Sequence, residues 1–181
     1  MKHQTVKQKE TEAYKNMKEV FGYKNAMAAP RMQKLVINVG TGTAMKKDKN
    51  KNEAITSRLA KITGQKAALR GAKQSISSFK VRQGDPIGAM VTLRGKRMYA
   101  FLDKLLNIAL PRTKDFRGID PKAVDSIGNL TIGIKEHTIF PETADEDIRD
   151  VFGLSITLVS SAKNKKEGQA FFELIGVPFK K

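Results

Sequence analysis

The sequence predicts an α+β fold: a single antiparallel or mixed sheet with helices packed on one face and the opposite face free for a ligand. Three observations predict it. Segments with a helical period interleave with segments of strict two-residue alternation. The strand-to-strand links are short, which favours antiparallel pairing over a doubly wound sheet. One pair of strand segments carries bases on its polar positions, as expected of a sheet that is covered on one side only.

Taken in order, Ala13, Tyr14, Met17, Val20 and Phe21 recur at three- and four-residue spacing, so Thr5 to Phe21 reads as an amphipathic helix ended by Gly22. From Met32 to Val39 the positions Leu35, Ile37 and Val39 alternate with Lys34, Val36 and Asn38, which defines a strand and turns Asn38 away from the apolar face. Gly40-Thr41-Gly42 breaks the strand, and the Lys46 to Lys51 run forms a polar loop before a helix with Ile55, Leu59 and Ile62 on one side, stopped by Gly64. Beyond Ala67 the helical period disappears. Phe79 and Val81 alternate with Lys80 and Arg82, then Met90, Thr92 and Arg94 alternate with Val91 and Leu93, so two strands flank a turn at Gly84 to Pro86 with bases on one face. Met98, Phe101, Leu102, Leu105, Ile108 and Ala109 mark a helix that Pro111 closes. Asn129 to Lys135 and Leu154 to Ser160 alternate as strands, and Ala170, Phe171, Leu174 and Ile175 face one side of a final helix.

Charge points to the partner. The 181 residues hold 34 Lys plus Arg against 18 Asp plus Glu, a net charge of +16, and between Ala54 and Leu102 ten bases face one acid, Asp85. Such a run repels itself unless a polyanion neutralises it, so it reads as the footprint of a phosphate backbone and the partner as a nucleic acid. With 40% hydrophobic residues the chain can still bury a core, unlike a disordered basic tail. The length suits one domain, residues 1–181. No stretch approaches the ~20 consecutive apolar residues of a membrane span and Met1 to Glu10 is polar, so the expectation is a cytoplasmic protein with no membrane partner. Without cysteine, and with only His3 and His137 far apart, neither a metal site nor a cofactor is expected. Six acids between Glu136 and Asp150, with Arg149 the only base among them, form a second and opposite patch that asks for a cationic partner.

Catalytic motifs are thin. The Gly40 to Met45 turn follows a strand and suggests a nucleotide-binding or RNA-modifying enzyme as the alternative function, but Met45 stands where the dinucleotide fingerprint needs a small residue, and no acid follows between Ala54 and Gly84. His137 lacks a nucleophile at any motif spacing, and the Asp145-Glu146-Asp147 cluster lacks the glycine-centred pattern of a calcium loop. By contrast, Thr92 to Arg97 is a dense polar-basic cluster: a Thr hydroxyl and the planar guanidinium of Arg94 face outward beside Asn38 and suit sugar and phosphate contacts. Aromatic residues make up 7% of the chain and the strands lack a paired stacking signature, so folded RNA read by shape and backbone is favoured over base-by-base reading.

The segments Leu35-Val36-Ile37-Asn38-Val39-Gly40, Ile62-Thr63-Gly64-Gln65-Lys66, Phe79 to Gly88, Val91 to Tyr99, Leu110 to Gly118 and the closing Gly176-Val177-Pro178-Phe179 resemble, in order, the bacterial family of large-subunit ribosomal protein five. The resemblance implies a structural protein that binds 5S rRNA and helps attach it to 23S rRNA in the central protuberance, beside neighbouring 5S rRNA-binding proteins. It implies rRNA contacts at Asn38, Gln65, Thr92 and Arg94, to which the polar-basic cluster adds Lys96 and Arg97. A mobile loop of about 72–84 would reach peptidyl-site tRNA through Lys73, Gln74, Ser75, Lys80 and Arg82. Asp145, Glu146, Asp147 and Asp150 would form a bridge to protein thirteen of the small-subunit head. Ala67, Gly71 and Asp85 depart from the family's usual residues around that loop.

Overall fold

The computed structural model describes residues 4–42, 51–114, 116–143 and 151–180. Its main elements are α1 (Val6–Phe21), β1 (Met32–Gly40), α2 (Lys51–Thr63), β2 (Ala68–Gly71), β3 (Pro86–Leu93), α3 (Gly95–Lys104), β4 (Leu130–Ile134), β5 (Leu154–Ser160) and α4 (Lys165–Leu174). The strands form one five-stranded antiparallel sheet in the order β2-β3-β1-β5-β4, so the fold is α+β as expected. Burial alternates along β1, β4 and β5, which places one face of the sheet in the core and leaves the other accessible.

Two compact units emerge from the packing, each discontinuous in sequence. The first takes the described parts of 1–35, 93–132 and 157–181. Here Met17 of α1, Met98 and Leu102 of α3 and Phe171 and Phe172 of α4 are all buried together with Leu35 and Leu130. Helix α1 begins at Thr5, whose N–H donates to the Gln8 side chain at 2.9 Å, and ends at Gly22, whose left-handed φ of 66° suits glycine. Its buried stripe is Val6, Ala13 and Met17. Val20, expected on that stripe, is 76% exposed: the helix stops one residue later, and Phe21 instead stacks on Tyr23 with ring centroids 6.0 Å apart. After α3 the winding loosens into a π-helical segment, Leu105–Ala109, in which the Leu110 N–H donates to the Leu105 carbonyl. The extra residue in that turn shifts the helical phase, so Leu105, Leu106, Ala109 and Leu110 are buried while Ile108, expected inside, is exposed. In α4 the phase also differs from the expected one: Phe171, Phe172 and Ile175 are buried, whereas Ala170 and Leu174 lie at half-buried positions.

The second unit takes the described parts of 36–92 and 133–156. Ile55, Leu59 and Ile62 of α2 are buried, as their spacing predicts, and so are Ile37, Val91, Phe140 and Ile156. The hairpin here is not the one read from the sequence. β3 pairs antiparallel with β2, Leu69 opposite Ala89 and Arg70 opposite Gly88, with an irregularity between Arg70 and Gly71. Phe79 ends a short 3-10 turn, Ser77–Phe79, and Val81 makes only an isolated bridge to Ile76. The alternation of Phe79 to Arg82 thus belongs to a long β2–β3 connection closed by its own local bridge. His137 is fully buried, stacks on Phe152 at 4.1 Å, and accepts the Phe152 N–H at Nδ1; it is a packing residue of this unit.

Candidate nucleic-acid interface

Asn38 is exposed on β1, between the buried Ile37 and Val39, and its carbonyl accepts the Ser155 hydroxyl at 3.3 Å. Thr92 is half-buried on β3 between the buried Val91 and Leu93. Gln65, just beyond α2, donates from Nε2 to the Thr92 carbonyl at 3.2 Å. Gln65 and Thr92 are therefore physically joined, and the glutamine holds the strand end that presents the threonine. In the other unit, Arg94 is exposed immediately before α3, and Lys96 and Arg97 are exposed in its first turn, which carries no acid. Three cations at a helix start run against the helix dipole unless an anion sits there, so this stretch suits a phosphate.

The β2–β3 connection is a built loop. Ala72 N–H donates to the Asp85 carbonyl at 2.8 Å and Gly84 N–H to the Ala72 carbonyl at 3.0 Å, closing its base. Ile76 and Val81 exchange backbone bonds at 2.9 and 3.3 Å and close its tip. Asp85, the one acid of this basic stretch, spends its carboxylate on the Arg82 N–H at 2.7 Å, and the Ser75 hydroxyl accepts the Gln83 N–H at 2.9 Å. Lys80 adopts a φ of 51°, the only left-handed non-glycine among the described residues. Lys73, Gln74, Ser75, Lys80 and Arg82 are all exposed on this loop.

Sequence reasoning missed the concavity beneath it. A cleft of about 910 Å³ lies between the loop and the exposed ends of β1, β2 and β3. Asn38, Lys73 and Gln74 line it, as do Arg70, Ile76 and Phe79. Arg70 was legible only as one more base of the run, because its neighbours in the cleft come from three separate stretches of chain.

Asp145, Glu146, Asp147 and Asp150 lie outside the described residues, as do residues 46–50 of the polar run. Of the Gly40 to Met45 turn only its first three residues are described; Thr41 is buried and its N–H donates to the Ile87 carbonyl at 2.8 Å, so this stretch continues the pairing of β1 with β3.

An α+β scaffold whose basic loop and strand ends reach solvent is the arrangement expected of a nucleic-acid-binding protein. The comparisons give the family. Residues 25–82 match the family described as Ribosomal protein L5, and residues 86–179 match the C-terminus of the same ribosomal family. The chain is 50% identical over 171 residues, 94% of its length and 95% of the relative's, to the large ribosomal subunit protein uL5 of Trichlorobacter lovleyi. It is 50% identical over 165 residues to that of Desulfatibacillum aliphaticivorans, covering 91% of this chain and 92% of the relative. With that of a Thermoanaerobacter species it shares 48% over 172 residues, covering 95% and 96%. The chain belongs to the ribosomal protein L5 (uL5) family, and is a structural, non-enzymatic protein of the large ribosomal subunit with an rRNA partner. The enzymatic alternative at the Gly40 to Met45 turn is thereby set aside.

Proposed function

We propose that the chain acts as one RNA-binding domain, residues 1–181, that binds 5S rRNA, helps attach it to 23S rRNA in the central protuberance, touches peptidyl-site tRNA through the Ala72 to Gly84 loop and bridges to protein thirteen of the small-subunit head. Asn38, Gln65, Thr92, Arg94, Lys96 and Arg97 serve the rRNA, with Gln65 acting through Thr92. Lys73, Gln74, Ser75, Lys80 and Arg82 serve the tRNA. The acids Asp145, Glu146, Asp147 and Asp150 suit a basic protein, since carboxylates repel rRNA.

One observation carries this reading: along the basic stretch every proposed cationic contact is exposed, while the single acid, Asp85, is bonded within the loop. The field offered to a partner there is strongly positive, ten bases against one acid between Ala54 and Leu102. Arg94→Ala should weaken 5S rRNA binding by about tenfold or more, the loss of a charge-assisted hydrogen bond. Lys15→Ala, on an exposed turn of α1, should change it less than about twofold, the range of a screened surface charge. A triple Ala variant at Lys73, Lys80 and Arg82 should keep 5S rRNA affinity but lose protection of tRNA in subunit footprinting. Equal 5S rRNA affinities for the Arg94 and Lys15 variants would count against the proposed face, and lost 5S rRNA affinity in the triple variant would count against the division between the two RNAs.

A further inference from the structure

We propose that the end of the sheet at which β1 begins is a basic ridge that holds a run of 5S rRNA phosphates, with Arg31, Lys163, Lys165 and Lys166 as its contacts. This rests on the 5S rRNA reading above and extends that site to residues outside the basic stretch of the sequence.

Topology makes the ridge. β1 lies between β3 and β5 in an antiparallel sheet, so β3 and β5 run the same way and both end where β1 begins. All three of these strand ends belong to the first unit. Two strand spacings set the ends of β3 and β5 about 10 Å apart. Each end carries bases. β3 leads into the exposed Arg94, Lys96 and Arg97, assigned above to rRNA, and β5 leads into the exposed Lys163, Lys165 and Lys166. Arg31, exposed just before β1, stands between the two groups: its N–H donates to the Ser161 hydroxyl at 3.0 Å, and its carbonyl accepts the Ser161 N–H at 3.0 Å. Three stretches far apart in sequence thus bring their cations to one edge.

The acids at this end are engaged within the protein. Glu167 is buried and accepts the Lys163 N–H at 2.7 Å and the Tyr23 hydroxyl. Glu10, close to Arg31, takes the Met32 N–H and the Tyr99 hydroxyl. Asp125 bonds back into its own turn through both carboxylate oxygens, and Asn129 of that turn accepts the Ser160 N–H at the end of β5. Nor do the lysines serve their own helix. Lys165 and Lys166 open α4, where cations oppose the helix dipole. An anion from outside the protein offsets both this opposition and the mutual repulsion of the bases.

The width of the ridge selects the anion. Its cations are spread too far for one small ion to meet them all, whereas a nucleic-acid backbone repeats its charge along the whole edge. Lysine meets phosphate as a compact point charge, so these contacts hold the RNA in place and leave the reading of its shape to Asn38 and Thr92. Continuity with Arg94, Lys96 and Arg97 makes the occupant 5S rRNA.

The test is the salt dependence of 5S rRNA binding by the full chain. Each lost phosphate contact lowers the log-log slope by about 0.7–0.9, so Lys165→Gln with Lys166→Gln should lower it by roughly 1.4–1.8, and adding Arg31→Gln by about one more. Lys165→Arg with Lys166→Arg should keep the wild-type slope. The control removes the same charge elsewhere: Lys7→Gln with Lys15→Gln, on exposed positions of α1, should leave the slope within about half a unit of wild type, because a charge that touches no phosphate releases no counterion. Equal slopes for the ridge pair and the control pair would overturn the proposal. So would a wild-type 5S rRNA slope in the ridge pair combined with weakened binding to 23S rRNA, which would give the edge to a second RNA. A wild-type chain that shows no preference for 5S rRNA over an unrelated duplex would instead overturn the broader reading on which the ridge rests.

Discussion

Glu10 shows how single residues hold this chain together. On the inner side of α1, its Oε1 accepts the Met32 N–H at 3.3 Å at the start of β1, and the Tyr99 hydroxyl of α3 donates to the same carboxyl. Burial lifts the Glu10 carboxyl above the ordinary carboxylate range despite those bonds and the nearby Arg31 and Lys7, and it also pushes the Tyr99 hydroxyl up, with Glu10 adding to the effect. A carboxyl raised in this way contributes stability that is fully present below its unfolded value and lost as pH rises through its folded value. Tyr99→Phe removes one bond that holds the ionised form, so it should destabilise the fold by about 1–2 kcal/mol at pH 7 and by less at pH 4, where Glu10 is protonated. Urea denaturation at the two pH values checks this, and equal deficits would show that Tyr99 does not act through the carboxylate. A second residue-scale test lies where two backbones meet. A Cβ on Gly168 would stand 2.5 Å from the Gly128 Cα and 2.7 Å from its carbonyl, too close for any rotamer change to relieve. Gly168→Ala should cost about 3 kcal/mol, at the upper end for overpacking, and lower the thermal midpoint by several degrees. A midpoint within a degree of wild type would mean that the two segments separate freely.

Among the elements, α4 depends on its start. The Asn164 side chain accepts the Glu167 N–H at 2.9 Å, and Glu167, itself buried, turns back to accept the Lys163 N–H at 2.7 Å and the Tyr23 hydroxyl. Asn164→Ala should therefore cost about 1 kcal/mol, the usual loss for an N-cap, whereas Asn164→Asp should cost little; denaturant midpoints distinguish the two. The same scale shows what the sequence could reveal. β1 and β5 were legible because Leu35, Ile37 and Val39, and likewise Leu154, Ile156 and Leu158, alternate against more exposed neighbours with nothing to disturb the period. The β2–β3 hairpin was not legible, since β2 is four residues long and all its positions are exposed, while the loop imitates a strand around Val81. The π-helical segment escaped for a similar reason: the chain keeps its apolar content, and only the phase moves. Within the candidate interface, the exposure of Asn38 followed from alternation alone. The bond from Gln65 to Thr92 and the cleft did not, because they join residues distant in sequence.

For the molecule as a whole, the excess of 34 bases over 18 acids sets long-range attraction for any RNA, and specificity must come from fixed geometry on top of it. Binding should weaken with salt at a log-log slope of roughly −0.7 to −0.9 for each phosphate contacted, and if Asn38 and Thr92 hydrogen-bond a particular RNA shape as proposed, that part of the affinity should resist screening. The central claim is that this chain recognises 5S rRNA and does not merely attract polyanions. The most direct measurement is a titration of the full chain against 5S rRNA and against an unrelated RNA duplex of equal length, over a series of salt concentrations. Binding to 5S rRNA should be tighter throughout, and the ratio of the two affinities should hold or widen as salt rises. Equal affinities at every salt concentration would contradict the account and reduce the interface to its charge.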